Sequence, residues 1–175
     1  YTNAINAIAF LTGGCSVFGV LPPTCGTRYA SLSLPDDGLA YEIANQISNL
    51  VREGGAGSPI PRRYRVRRIY HVGQSQQAGS VITYASAFHE PGLVDGYFVQ
   101  ANIFARRIKD GIDCAASGAP AFPDCVPRLA GDDRYVRTDL PVPVVQALTE
   151  TDVVALWGIG GRQSDTPTYR YYEVA

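Results

Sequence analysis

The sequence predicts an α/β domain with a mainly parallel sheet flanked by helices. Three observations carry that prediction. Runs that read as strands alternate with runs that read as helices. The run VPVVQAL at 142–148 is almost continuously apolar, as strands buried on both faces of a parallel sheet are. Around Ser75 a β-branched run gives way to a helical one within about three residues, a strand-to-helix turn of the abrupt kind seen where a serine is presented at a sheet edge.

Residues 1–35 are irregular, with Gly13-Gly14, Pro22-Pro23 and Pro35, and carry at most one short helix at 3–11. The clearest helix is 36–53. Asp36 or Asp37 can cap it, and Leu39, Ile43, Ile47 and Leu50 recur at helical spacing as one apolar stripe. Gly54-Gly55 ends it, and GAGSPIPRR turns the chain into a strand at 65–72 that carries Val66, Ile69 and Val72. A helix then runs to about Phe88. Its Ala78, Val81, Ile82 and Ala85 are small or β-branched, which suits burial against a sheet, and Pro91-Gly92 stops it. Strands follow at 94–100 and 142–148, then a helical turn at 153–158 and a last strand at 168–174. Residues 101–138 are poorly periodic and rich in Gly, Pro and Asp, and are expected as an insertion over the strand ends that shapes a cleft. No internal repeat is evident.

Length and composition fit one domain over 1–175: 175 residues, 46% of them hydrophobic, are enough for a sizeable core. A net charge of −1 makes no electrostatic case for nucleic acid or an anionic membrane. No apolar run approaches the length of a membrane span. The chain has no methionine, so a processed product or a fragment is expected. Cys15/Cys25 and Cys114/Cys125 each flank a loop rich in Gly and Pro. Two local disulfides would suit an oxidising compartment, hence a secreted or periplasmic protein, although four cysteines allow three pairings. Their spacing is too wide for paired metal-ligand knuckles and no histidine is near, so neither metal nor cofactor is expected.

Chemistry concentrates at two strand ends, the edge where open parallel sheets bind ligands. Ser75 follows Gly73, and the turn places the next backbone N–H groups at a helix N-terminus, where they can stabilise an oxyanion. Such a turn favours small residues two before and two after the serine; Gly73 fits the first position, and Gln77 occupies the second. The competing reading of Ser75 is a helix N-cap. Past the strand at 142–148, Glu150 and Asp152 offer a carboxylate that could orient a histidine and stabilise its imidazolium, or cap the next helix. Asp152 is the first choice and Glu150 the rival. The two histidines read as structural: His71 inside a strand, and His89 at a helix end where a cation favours the dipole. Arg62, Arg63, Arg65, Arg67 and Arg68, interleaved with Tyr64 and Tyr70, could touch phosphate, but a solvated loop explains them better in a near-neutral chain. Tyr169, Tyr171 and Tyr172 read as strand packing.

GQSQ at 73–76, AFH at 87–89, RTDLPVPV at 137–144, TETDV at 149–153 and YYEVA at 171–175, with DDGLAYEI at 36–43, together resemble a family of α/β-hydrolase-domain proteins. The resemblance covers most of residues 30–175. It implies an α/β-hydrolase fold, here apparently a partial domain, and an exported serine hydrolase acting on small or polymeric carboxylic esters. It also implies Ser75 as nucleophile, the Gln76 N–H as half of the oxyanion hole, and Asp152 or Glu150 as the acid. The histidine is implied a few residues beyond Ala175, in the order Ser, acid, His. The remainder of the domain would then be this chain's partner. Against this stands a binding or scaffold protein on a hydrolase fold.

Overall fold

The computed structural model of the protein describes residues 39–55, 57–105, 135–155 and 158–175. The four cysteines, Asp36, Asp37, Gly13-Gly14 and most of the expected insertion lie outside the described residues.

Helix α1 spans Leu39–Glu53. Strand β1, Tyr70–Gln74, leads through Ser75 into helix α2, Gln76–Thr83, which continues as a π-turn over Tyr84–Phe88. Strands β2 (Gly96–Gln100) and β3 (Val144–Thr149) follow. Then come helix α3 (Glu150–Val154), a 3-10 turn (Gly158–Gly161) and β4 (Tyr169–Val174). The four strands form one sheet in the order β1-β2-β3-β4, every pair parallel. The α/β class predicted from the sequence is the observed one.

Several boundaries differ, each for a local reason. The first strand begins at Tyr70, not 65. Its ladder starts where Asp95 N–H donates to the Ile69 carbonyl and Asp95 Oδ2 accepts from the Ile69 N–H. No strand among the described residues pairs with the arginines before it, and Arg62, Arg63, Arg65, Arg67 and Arg68 are all exposed. Asp95 is held down to about 2 by the Ile69 N–H and by the guanidinium groups of Arg52 and Arg68. The helical turn expected at 153–158 starts earlier, at Glu150, because Thr149 and Asp152 form a reciprocal cap there.

The register sets His71 and Gly73 beside Tyr97 and Val99, and these beside Val144 and Gln146, on one face of the sheet. That face carries the core, with Ala78 and Ile82 of α2, Tyr84 and Ala85 packed among Tyr97, Val99, Val144 and Tyr169. On the other face the outer strands are exposed, Tyr70 at 58% and Val72 at 64% on β1 and likewise Tyr172 and Val174 on β4, whereas Phe98, Val145 and Ala147 of the central strands are half-buried. The run at 142–148, expected to be buried on both faces, is buried at Val144, Gln146 and Leu148 and half-buried at Val145 and Ala147. The apolar stripe of helix α1 is not the face it buries. Leu39, Ile43, Ile47 and Leu50 are exposed, and Tyr41 and Ser48 are buried instead. Polar and aromatic anchors decide this orientation. Tyr41 stacks on Phe88, Tyr84 donates to Asn45 Oδ1, Ser48 Oγ lies 3.0 Å from His71 Nε2, and Arg52 holds Asp95.

His71 packs against Tyr84 and Tyr97, and His89 Nδ1 lies 2.7 Å from the Tyr97 hydroxyl. Burial holds both imidazoles below their ordinary value, with Arg137 adding to the effect at His89. At His89 burial and Arg137 thus work against the helix-end cation that the sequence suggested. The sign of the pH dependence follows. The folded state keeps both rings neutral, whereas the unfolded chain takes up protons near 6.5. Their contribution to stability is complete above that pH and is lost as pH falls through the lower folded values. Urea midpoints should fall between pH 7.5 and pH 5, and the fall should shrink in a His71→Gln/His89→Gln double variant. The Asp95 cluster does not confuse this window, because its contribution begins to fall only as pH drops toward the ordinary carboxylate value of 3.8, below the range tested.

Candidate functional site

The turn after β1 is built by Gly73 and strained at Ser75. Ser75 has φ 54° and ψ −122°, a left-handed backbone that costs a non-glycine residue about 1–3 kcal/mol. Its N–H donates to the Gln100 carbonyl (2.9 Å), so the last rung of the ladder with β2 holds the serine at the strand end. Ser75 stands at the N-cap position of α2, yet its side chain makes no capping hydrogen bond, and the residue is exposed. The Gln76 N–H, at the first position of that helix, has no intrahelical acceptor available to it. Gln77 is exposed and does not prevent the turn. The crowded atoms are backbone ones: a Cβ on Gly73 would sit 2.6 Å from the Gln77 carbonyl oxygen and 2.7 Å from Ala78 N and Cα. Backbone atoms cannot move aside as a side chain can. Gly73→Ala should therefore cost about 3 kcal/mol or more, read as a drop in the urea midpoint. A loss under about 0.5 kcal/mol would mean that the close approach is not required.

Across the sheet, β3 delivers Asp152. Thr149 caps α3, and Asp152 Oδ2 accepts from Thr149 N–H (2.7 Å) and Thr149 Oγ1 (2.8 Å). The helix-cap alternative is therefore real for Asp152. It occupies one carboxylate oxygen; Oδ1 has no partner among the described residues. Asp152 is 8% exposed, whereas Glu150 lies on the exposed side of the same turn.

Ser75, Gln76 and Asp152 line one cleft of about 230 Å3 at the carboxyl edge of the sheet. Leu148 and Gly158 floor it beside Asp152, and Ala101, Asn102, Ile103 and Phe104, just past β2, complete it. Glu150, His71 and His89 are not among its lining residues. Ala101 and Asn102 begin the stretch that the sequence suggests as cleft-shaping, but nothing there singled out either residue. Ala101 is the other non-glycine residue with positive φ (56°) among the described residues. The rule that ligands sit beyond the carboxyl ends of parallel strands, applied to the strand ending at Gln100, would have found both. The described residues hold no group of three or more His, Cys, Asp and Glu able to bind a metal. No helix among them is long and apolar enough to cross a membrane.

A parallel sheet with helices packed on it, and a cleft at its carboxyl edge between a strained serine and a buried aspartate, define an α/β protein with hydrolase-like architecture. The family model described as alpha/beta hydrolase domain matches residues 11–175, and the chain belongs to that family. No curated protein and no solved structure matches it.

Proposed function

We propose that this chain carries the nucleophile and the acid of a serine esterase. The observation that carries the reading is the Ser75 backbone: a left-handed serine between a strand and a helix, uncapped, exposed and facing the cleft that Asp152 lines. Strain of this kind persists where the surrounding structure imposes it, and it clusters at functional sites. Ser75 Oγ attacks the ester carbonyl and passes its proton to a histidine. The Gln76 N–H takes the developing oxyanion, the alcohol leaves with the proton, and water then releases the acid from Ser75. Asp152 is preferred over Glu150 as the acid because it lines the cleft and keeps one carboxylate oxygen unpartnered.

The base is proposed to come from the residues that follow β4. Val174 pairs with Thr149, so the chain leaves the sheet beside the turn that holds Asp152. A histidine shortly after that point would reach Oδ1. The test is labelling of the full-length protein with a fluorophosphonate, with the modified residue located by mass spectrometry. Covalent labelling at Ser75, lost on denaturation, is expected. A folded full-length protein that stays unlabelled would favour a binding or scaffold role on the hydrolase fold.

A further inference from the structure

We infer that Asn102 is a positioning residue for the oxyanion donor, acting through the peptide between Ser75 and Gln76; this rests on the reading of Ser75 as nucleophile. The Ser75 carbonyl oxygen accepts from Asn102 Nδ2 at 2.9 Å and from the Ala78 N–H at 3.1 Å, so Asn102 shares the hold on it with the first turn of α2. That carbonyl and the Gln76 N–H belong to one planar peptide unit. Whatever fixes the direction of the carbonyl therefore fixes the direction of the N–H. A hydrogen bond accepted at the oxygen also polarises the unit and strengthens its N–H as a donor.

Asn102 is itself held by two further hydrogen bonds. Its Oδ1 accepts from the Phe104 N–H at 2.9 Å, which sets the side-chain amide with its NH2 toward Ser75. Its backbone carbonyl accepts from Gln146 Nε2 at 2.7 Å, and Gln146 Oε1 accepts from the Tyr169 hydroxyl at 2.6 Å. Gln146 and Tyr169 are fully buried. The chain Tyr169–Gln146–Asn102–Ser75 thus ties β4 and β3 to the turn after β1. A buried glutamine in a strand core is costly unless both ends of its amide are satisfied; here both are, and one end supports Asn102. Ala101 supplies the bend: its left-handed backbone, held by its N–H on the Ala147 carbonyl (3.0 Å), swings Asn102 over Ser75. The two non-glycine residues of positive φ among the described ones therefore lie at the two ends of one device.

The test uses the full-length protein with p-nitrophenyl acetate as substrate and a fluorophosphonate as label. Asn102→Ala should lower kcat by about 10- to 100-fold with KM unchanged, the size expected when an oxyanion donor is misaligned but not removed. Fluorophosphonate labelling of Ser75 should slow by a similar factor. Asn102→Asp has the same shape but presents a carboxylate to the Ser75 carbonyl and can donate only when protonated. Its activity relative to wild type should rise as pH falls toward the carboxylate range, whereas the Asn102→Ala ratio should stay flat. A merely structural contact would not produce that difference, and the isosteric variant keeps the test open if the alanine variant misfolds. Labelled wild type with both variants within twofold of it would overturn the positioning role and leave Ser75 as nucleophile. A raised KM at constant kcat would overturn it too, making Asn102 a substrate contact. Wild type unlabelled at Ser75 would remove the nucleophile reading and this inference together.

Discussion

Replacing Ser75 by alanine should lower kcat by up to about 10^6-fold while leaving the fold intact, because every bond change in the proposed reaction passes through its hydroxyl. Stability supplies a second, independent reading. Alanine at φ 54° is as strained as serine, so Ser75→Ala relieves nothing. Glycine adopts that backbone freely. Strain of about 1–3 kcal/mol is relieved, against about 0.5–1 kcal/mol of added chain entropy. Ser75→Gly should therefore be as inactive as Ser75→Ala but more stable than it by about 1 kcal/mol in urea unfolding. The stability ranking tests the strained backbone, whatever the serine does; the activity loss tests its role, because a serine placed only to cap α2 would leave activity untouched when replaced. Turnover surviving in Ser75→Ala would end the esterase reading.

Asp152→Asn should lower kcat by about 10^4-fold, with Glu150→Gln within twofold of wild type. An amide at position 152 keeps an acceptor for the Thr149 N–H, so the cap persists and stability should change by less than about 1 kcal/mol. Where Asp152 Oδ1 can only accept, an asparagine can present a donor, which orients a histidine in the wrong tautomer. A large loss at small stability cost separates an acid from a helix cap; Asp152→Ala would lose both roles and could not. The opposite pattern, with Glu150→Gln the inactive variant, would transfer the acid role to the exposed carboxylate.

Periodicity and turn residues sufficed for the class of fold. The strand endings at 74, 100 and 149 were legible within a few residues, because apolar runs and the glycines and prolines between them are local signals. Ser75, Gln76 and Asp152 could be singled out for the same reason, lying just past those runs. The orientation of α1 was not legible. Leu39, Ile43, Ile47 and Leu50 form the better apolar stripe, yet Tyr41 and Ser48 face inward, because the partners that choose the face lie far along the chain: His71, Tyr84, Phe88 and Asp95. Asn102 was invisible for a similar reason. Nothing in ANIF marks an asparagine whose partners are Ser75, Gln146 and, through Gln146, Tyr169.

The sequence by itself determined the α/β class and the strand-to-helix turn with its serine, since a glycine two residues before Ser75 and apolar runs on either side are local facts. Only the tertiary structure decided that Ser75 and Asp152 share a cleft, that Glu150 does not line it, and that a strained alanine brings Asn102 onto the serine's own carbonyl. Parallel strands place residues side by side across dozens of intervening positions, and that register is set by long-range ladder bonds that no local pattern encodes.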